Sequence, residues 1–209
     1  MKKLYIIGAG SVGGHLAWNI EGYGEDFKIE GFFDDDPDKI GTTQFGYTVI
    51  GDVNEALKLN DADVAVGIAF PEVKRKIVEK LSSNRSLDFP SFVHQRAWVS
   101  SGVTIGKGTV IYPGTSINYG SEIGNFVVAN MNCALGHHTS VGSYSSLAPG
   151  VITGGHTTIG RCVEMGIGSA TVQGLNIGAG SKIGGQAMVV HDIPEGVTAV
   201  GVPAKTMKT

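Results

Sequence analysis

The 209-residue chain has 16 Lys and Arg against 19 Asp and Glu, and its net charge of −3 argues against a dedicated nucleic-acid binder. Apolar residues make up 42% of the chain, which is enough for a packed core and argues against disorder. No apolar run approaches the roughly 18 residues of a membrane span. The strand-like start at Leu4–Gly8 is not a secretory signal, so we expect a cytoplasmic protein that binds neither nucleic acid nor membranes.

Charge and glycine are distributed unevenly along the chain. Residues 1–98 hold 26 of the 35 charged side chains, whereas residues 99–209 hold nine of them and 21 of the 32 glycines. A shift of this size in composition marks a domain boundary. We therefore predict a first domain at residues 1–98 and a second at residues 99–209.

The first domain alternates predicted strands and helices, as a small α/β domain does. Buried strands are predicted at Leu4–Ile7, Ile29–Phe33 and Val64–Ile68. Helices are predicted at Gly14–Tyr23 and Glu72–Ser82. The second of these helices carries four basic residues that we expect on its surface: Lys74, Arg75, Lys76 and Lys80.

A glycine-rich turn follows the first predicted strand. Gly8, Gly10 and Gly13 form the pattern G-x-G-x-x-G, and Asp34 and Asp35 end the next strand about twenty residues later. In a Rossmann-like domain such glycines let a diphosphate approach the backbone and the N-terminus of a helix. A domain of this length is too short for a full dehydrogenase, and a nucleotide-diphosphate sugar would satisfy the same groups. A turn that serves only strand-to-helix packing is the alternative.

The second domain is an internal repeat with a period of six. Sixteen positions at this spacing run from Val99 to Val189, and all are apolar except Thr153 and Thr171. Glycine follows nine of them. The residue two places before each apolar position is nearly always small or β-branched, with Leu175 as the exception.

A period of six fits short strands joined by tight corners, not an α-helix or an ordinary amphipathic strand. One aliphatic side chain per hexad then points into a narrow core, and stacked coils bury a continuous column. The pattern predicts a parallel β-helix of about five coils. A glycine-rich loop region is the alternative, but chance does not hold one register over sixteen hexads.

The repeat resembles the left-handed β-helix of hexapeptide-repeat acyltransferases. Both domains together resemble a group that contains sialic acid O-acetyltransferases and nucleotide-amino-sugar N-acetyltransferases of bacterial glycan pathways. The resemblance covers essentially the whole chain. The motifs that carry it are Gly8-Ala9-Gly10, Phe33-Asp34-Asp35-Asp36, Val66-Gly67 with Arg75-Lys76, Asn130 with Gly136-His137, Ala148-Pro149-Gly150-Val151 and Gly201-Val202-Pro203-Ala204-Lys205.

His137 and His138 are the catalytic candidates, because they directly follow a hexad Leu-Gly in the middle of the repeat. The strand alternation should turn such a side chain outward, where a histidine can accept a proton from an attacking amine. The resemblance implies that His137 is the general base. The family usually has Asp or Glu at the next position, which is His138 here; Glu122 and Glu164 are the nearest carboxylates along the chain.

The resemblance also implies the ligands and their contacts. Acetyl-CoA would be the acyl donor, with no metal, in a groove between two β-helices of a homotrimer. The matching donor positions are Ser146, Ile167 and Gly185. The matching positions for the nucleotide-linked amino sugar are Gly10, Ser11, Val12, Asp34, Asp35, Gly67 and Asn130.

The sequence therefore predicts an acetyl-CoA-dependent sugar N-acetyltransferase. O-acetylation of sialic acid or a related sugar is the first alternative. A nucleotide-binding trimer without catalysis and a purely structural solenoid are two others. A zinc-dependent carbonic anhydrase would need His137, His138 and His156 around one metal ion, and we expect the adjacent pair to point to different faces.

Overall fold

The computed structural model describes residues 2–24 and 27–207, which form two compact units at residues 1–90 and 91–209. The division lies earlier than the boundary that we predict near residue 98. Phe92 and Val93 are the reason, since they already pair in parallel with Val110 and Ile111 of the repeat. Charge density therefore marks the boundary less sharply than strand pairing does.

The first unit is the predicted α/β domain. Its strands are β1 (Lys2–Ile7), β2 (Phe27–Phe33), β3 (Thr43–Gln44), β4 (Tyr47–Gly51), β5 (Ala62–Val66) and β6 (Leu87–Asp88). Its helices are α1 (Ser11–Asn19), which continues as a 3₁₀ turn over Ile20–Tyr23, α2 (Val53–Ala56) and α3 (Pro71–Leu81). The predicted elements do not include β3, β4, β6 and α2.

The six strands form one sheet in the order β3-β4-β2-β1-β5-β6, parallel except for β3. The central strand β1 pairs with β2 on one side and β5 on the other. The strands that follow β1 in the chain are therefore added first on one side of it and then, from β5 onward, on the other side. In open parallel sheets, ligands bind beyond the carboxyl ends of the strands at this point.

One surface prediction for α3 is wrong. The side chain of Lys74 is buried, with 1% of its surface exposed, while Lys76 and Lys80 are exposed. Lys74 lies on the same face of the helix as Val78 and Leu81, which face the core. Because four basic residues lie close together in this segment, the sequence does not show that Lys74 shares the buried face of the helix.

The second unit is the predicted β-helix, built from two-residue strands at the hexad positions. The strands are β7 (Phe92–Val93), β8 (Trp98–Val99), β9 (Thr104–Ile105), β10 (Val110–Ile111), β11 (Ser116–Ile117), β12 (Glu122–Ile123), β13 (Val128–Ala129), β14 (Ala134–Leu135), β15 (Ser140–Val141), β16 (Ser146–Leu147), β17 (Ile152–Thr153), β18 (Thr158–Ile159), β19 (Glu164–Met165), β20 (Ala170–Thr171), β21 (Asn176–Ile177), β22 (Lys182–Ile183), β23 (Met188–Val189), β24 (Thr198–Val200) and β25 (Lys205–Thr206).

These strands form three parallel faces. The first face contains β7, β10, β13, β16, β19, β22 and β24, with β25 antiparallel to β24; the second runs from β8 to β23, and the third from β9 to β21. Paired residues such as Val110 and Val128 are 18 positions apart, so three hexads make one coil. The left-handed parallel β-helix is thereby confirmed as the fold of this unit.

The second residue of each strand from β8 to β23 is the predicted hexad position, and most of these side chains are buried in one column. Burying an aliphatic side chain contributes about 1.5–3 kcal/mol relative to leaving it exposed. Most of the small residues two places earlier are buried as well, and several of their hydroxyls bond the backbone of the neighbouring coil, although Ser169 Oγ has no hydrogen-bond partner. Thr109 Oγ1, for example, donates to the carbonyl of Gly124 at 2.8 Å.

The two threonines in the column replace apolar packing by hydrogen bonds. Thr153 Oγ1 lies 3.0 Å from Thr139 Oγ1, and Thr171 Oγ1 lies 3.1 Å from Thr157 Oγ1. A buried hydroxyl without a partner would cost free energy, and this pairing avoids that cost. None of the helices within the described residues is long and apolar enough to cross a membrane.

Candidate functional site

The two catalytic candidates lie at a corner of the β-helix between its second and third faces, which we call the second corner. His137 and His138 follow β14 there, and His138 has a left-handed backbone with φ of 56°. His137 is half-buried and His138 is exposed. The Nδ1 atoms of the two rings are 3.1 Å apart, which is hydrogen-bond distance. The predicted outward orientation is what the structure shows.

Neighbouring coils hold the ring of His137 between them. Tyr119, one coil earlier, stacks on it with ring centroids 5.5 Å apart and planes at 12°. Gly155, one coil later, has no side chain beneath the ring, and a Cβ there would lie only 2.7 Å from His137 Cε1 and Nε2. The glycine is thus required by the position of the imidazole. Neither Tyr119 nor Gly155 is among the predicted site residues.

A third histidine joins this pair, and here one expectation is wrong. The ring of His156 stacks on His138 with centroids 4.8 Å apart, and its centroid lies 4.9 Å from that of His137. One nitrogen from each ring lies within 4.8 Å of the others. The adjacent pair does not point to different faces, because the left-handed turn at His138 brings its ring back beside His137.

The positions expected to bind acetyl-CoA cluster around a different corner, between the first and second faces, which we call the first corner. Ile167 and Gly185 are one coil apart there, and a Cβ on Gly185 would lie 3.3 Å from the Ile167 carbonyl oxygen. Ser146 lies nearby in β16 on the first face. Asn130 lies on the first corner too, and its Oδ1 accepts the N–H of Met131 at 2.8 Å.

The second face separates the two corners. Its outward side chains are uncharged, and two are large, apolar and exposed: Trp98 by 57% and Ile152 by 51%. One chain therefore does not bring His137 together with Ile167 and Gly185, since they lie on opposite sides of this face. The predicted donor contacts and the predicted base are on one solenoid but at separate edges.

The first unit has a cavity of about 280 Å³ at the carboxyl ends of its strands. Five of the predicted substrate-binding residues line it: Gly10, Ser11, Asp34, Asp35 and Gly67. Val12 does not, because its side chain is 3% exposed and packs in the core. Lys39, Ile68 and Phe70 also line the cavity, and none of them is among the predicted site residues.

The glycines at this cavity have distinct roles. Gly8 has a φ of 94°, which allows the tight turn after β1. A Cβ on Gly13 would lie 2.0 Å from the Gly8 carbonyl oxygen, so glycine is needed where helix and strand touch. A Cβ on Gly10 would meet nothing within 4 Å. Packing therefore explains Gly8 and Gly13, but it does not explain Gly10, which leaves backbone open to a ligand.

The two acidic residues mainly organise the cavity wall. Asp34 Oδ2 accepts the N–H of Ala9 at 2.8 Å and pairs with Lys39 Nζ at 3.1 Å. Burial acts to raise the pKa of Asp34, but the N–H groups of Asp36 and Ala9 and the Lys39 ammonium outweigh it and lower that pKa. Asp35 Oδ1 accepts the N–H of Val53 at the start of α2. Both carboxylates thus have structural partners.

Three comparisons relate this architecture to known proteins. The family model of the PglD N-terminal domain matches residues 3–81. The acetyltransferase domain of PglB from Neisseria gonorrhoeae FA1090 is 29% identical, with a TM-score of 0.90 over 99% of this chain and 100% of that chain. PerB from Caulobacter crescentus, solved with CoA and GDP-perosamine, is 27% identical, with a TM-score of 0.90 over 100% of this chain and 98% of that one.

A curated relative supports the same class of fold. Serine acetyltransferase from Buchnera aphidicola subsp. Acyrthosiphon pisum (strain APS) is 29% identical over 140 residues, which are 63% of this chain. The match spans 43% of that enzyme's length. Variants of perosamine N-acetyltransferase in which one histidine is replaced by Asn or Ala have also been solved with CoA and GDP-perosamine.

An α/β unit followed by a hexapeptide β-helix is the architecture that this chain shares with these solved acetyltransferases. The match of the first unit and the near-complete coverage of both chains make this similarity more specific than a shared β-helix alone. The first unit matches the PglD N-terminal domain, and the whole chain is similar to solved N-acetyltransferases, one of which was solved with a nucleotide-linked amino sugar.

Proposed function

We propose that this protein transfers the acetyl group of acetyl-CoA to the amine of a nucleotide-linked amino sugar. The observation that carries the proposal is the 3.1 Å contact between His137 Nδ1 and His138 Nδ1 at an outward corner of the β-helix. This contact supports a role for His137 as a proton acceptor, because the corner is open to a ligand in solution. The acetyltransferase relatives supply the reaction class, and PerB supplies the precedent for a nucleotide amino sugar.

The proposed reaction forms one amide bond and breaks one thioester bond. The sugar nitrogen attacks the thioester carbon, and His137 accepts the proton that the nitrogen loses. The thioester oxygen is stabilised by backbone N–H groups. When the intermediate collapses, the histidine returns the proton to the departing thiolate, so that N-acetyl sugar and CoA are the products. A neutral imidazole is needed for the first step, since only that form has a free lone pair.

His138 replaces the carboxylate that the family usually places next to the base. If His137 donates its Nδ1–H to Nδ1 of His138, then the lone pair of His137 lies on Nε2, where it can accept a proton. The opposite tautomer would place a proton on Nε2 and remove the base. Of the two carboxylates considered, Glu164 forms an ion pair with Lys182 at 3.2 Å, and Glu122 lies in β12 on the third face, where it pairs in register with Ser140.

The cavity of the first unit is proposed to bind the nucleotide part of the acceptor. The open backbone at Gly10 and the N-terminus of α1 suit a diphosphate, and the Lys39 ammonium at the cavity wall adds positive charge. Asp34 acts here as a brace for the turn, because its oxygens already bond Ala9, Asp36 and Lys39. Asp35, which is exposed, is the acid available to a ribose or base.

The complete site is proposed to lie between two copies of the chain in a homotrimer. Around a threefold axis that the second faces line, the second corner of one copy meets the first corner of the next. His137 of one copy then faces Asn130 of its neighbour, while Ile167 and Gly185 lie farther along the same groove. The uncharged second face, with Trp98 and Ile152 exposed, suits burial between copies.

We propose that the enzyme is cytoplasmic, because it would use acetyl-CoA and has two buried free cysteines, Cys133 and Cys162. We also propose a role in bacterial surface glycan synthesis. The test is release of free thiol from acetyl-CoA with a panel of UDP-, GDP- and dTDP-linked 4-amino sugars and with free sialic acid. We expect release with one nucleotide amino sugar, loss in His137→Ala and no change in His191→Asn, which alters an exposed histidine elsewhere. Release with sialic acid alone would establish O-acetylation instead. Binding of a nucleotide without release would favour the non-catalytic alternative.

Complementation tests the shared site. His137→Ala damages the second corner and Gly185→Trp blocks the first, so each variant alone should be inactive. Mixed oligomers from co-expression should regain activity, because some interfaces combine two undamaged corners. Mixing His137→Ala with His138→Ala, which damage the same corner, is the control and should regain none. Absence of recovery in the first mixture would refute a site between copies.

A further inference from the structure

The three histidines at the second corner form more than the hydrogen-bonded pair that acetyl transfer requires. His137 and His138 alone account for a base and its partner. His156 lies one coil beyond His138 and stacks on it at 4.8 Å, with planes at 8°. Its presence beside both rings is not used in the proposed reaction.

We propose that His137, His138 and His156 bind one divalent transition-metal ion of the kind that imidazole prefers, such as Zn²⁺. One nitrogen from each ring lies within 4.8 Å of the other two. Tetrahedral Zn²⁺ with Zn–N bonds of about 2.0–2.1 Å holds its nitrogens about 3.4 Å apart. The 3.1 Å between the Nδ1 atoms of His137 and His138 is already close to this spacing. The His156 ring is stacked on His138 with planes at 8°, so it must turn out of this arrangement before its in-plane lone pair can point at the same ion.

The fold fixes the three rings at this spacing. His138 and His156 occupy the same position in successive coils and share a left-handed φ of 56°, so the coil spacing sets the distance between their rings. Gly120 and Gly155 make room beside them: a Cβ on Gly120 would lie 2.7 Å from His138 Cδ2. Three ligands and solvent access match the open zinc sites of proteins, in which a water fills the fourth position.

Metal binding would oppose the proposed acetyl transfer. A neutral imidazole has one lone pair, and coordination through either nitrogen uses it. His137 bound to a metal then carries its proton on the other nitrogen and accepts none from an amine. The ion is therefore not a cofactor of the transfer but a competitor for the base. This consequence rests on the proposed function, whereas the metal site itself does not.

The site is tested first by binding, without reference to activity. Untagged protein is titrated with Zn²⁺ against a chromophoric chelator and with Co²⁺ by visible absorption. We expect one ion per chain and the intense absorption bands of four-coordinate Co²⁺ with nitrogen ligands. His156→Gln and His138→Gln should each weaken Zn²⁺ binding by at least about tenfold, and His191→Asn should leave it unchanged. Circular dichroism checks that each variant is folded.

His156→Gln discriminates best, because it leaves the His137–His138 pair intact. Unchanged Zn²⁺ affinity in folded His156→Gln, or no binding by the wild-type protein, would overturn the site. If transfer is observed, Zn²⁺ should inhibit the wild-type enzyme reversibly to EDTA and inhibit His156→Gln at least about tenfold less strongly. If no acceptor is found, the binding titrations still decide the metal site, so the two proposals fail independently.

Discussion

Replacing Gly155 by alanine should displace the ring of His137 and slow acetyl transfer while the solenoid stays folded. The added Cβ would lie 2.7 Å from Cε1 and Nε2 of that ring. An ordinary contact between such atoms is about 3.5 Å, so the ring must retreat by roughly 0.8 Å. The backbone at Gly155 does not have a positive φ, and alanine is tolerated there without backbone strain.

The size of the effect follows from this displacement. A misplacement of about 1 Å at a reacting group can cost about a hundredfold in rate, so we expect kcat to fall between about tenfold and a hundredfold. The KM for acetyl-CoA should change little, because the proposed donor contacts lie on the first corner.

Steady-state thiol release with varied acetyl-CoA measures both constants. Gln173→Ala is the matched control, since it changes an exposed side chain one coil farther along the same corner, and it should leave both constants unchanged. If folded Gly155→Ala has the kcat of the wild-type enzyme, then the position of the His137 ring does not limit the reaction, and the assignment of the base is wrong.

Three further predictions concern stability and binding. Gly13→Ala should destabilise the first unit by about 1–3 kcal/mol or prevent its folding, because the new Cβ would lie 2.0 Å from the Gly8 carbonyl oxygen. Gly10→Ala should leave the free energy of unfolding in urea unchanged and weaken nucleotide binding measured by calorimetry. The reverse pattern would contradict the roles assigned to the two glycines. Asp34 has a lowered pKa in the folded state, so it stabilises the fold above its unfolded pKa of about 3.9, and this contribution is lost as the pH falls through the folded pKa. Asp34→Asn should therefore be less stable than wild type at pH 7 and lose less stability on acidification, and parallel pH profiles of the two proteins would refute this. Leu147→Ala, in a side chain with 1% exposure, should cost about 2–5 kcal/mol in denaturant unfolding, and a loss near zero would contradict a packed column.

The β-helix was predictable because its period is written directly in the sequence. Each coil needs one inward aliphatic residue per hexad, and no other regular structure requires that spacing. Val99, Ile105 and the later positions therefore located every strand from β8 to β23. The threonines at 153 and 171 broke the apolar rule, and only the structure shows that Thr139 and Thr157 satisfy their hydroxyls.

The histidine cluster was less accessible, although a signal existed. His138 and His156 are 18 residues apart, which is one coil, so the period itself places them one above the other. The return of His138 towards His137 depends on a left-handed backbone at a non-glycine residue, which no sequence rule predicts dependably. In the first unit, the structural partners of Asp34 and Asp35 depend on contacts between distant segments.

The coil repeat also fixes the distances along the β-helix axis between residues of different coils. His137 and Gly185 lie at different heights on one solenoid, and the height between them changes only in whole coils, each about 4.8 Å. Deleting 18 residues between them would shorten this distance by one step without rotating any face, whereas deleting six would turn every later side chain to another face. If the donor binds in the groove that we propose between copies, insertions or deletions would change the length of donor that it accepts only in steps of one coil.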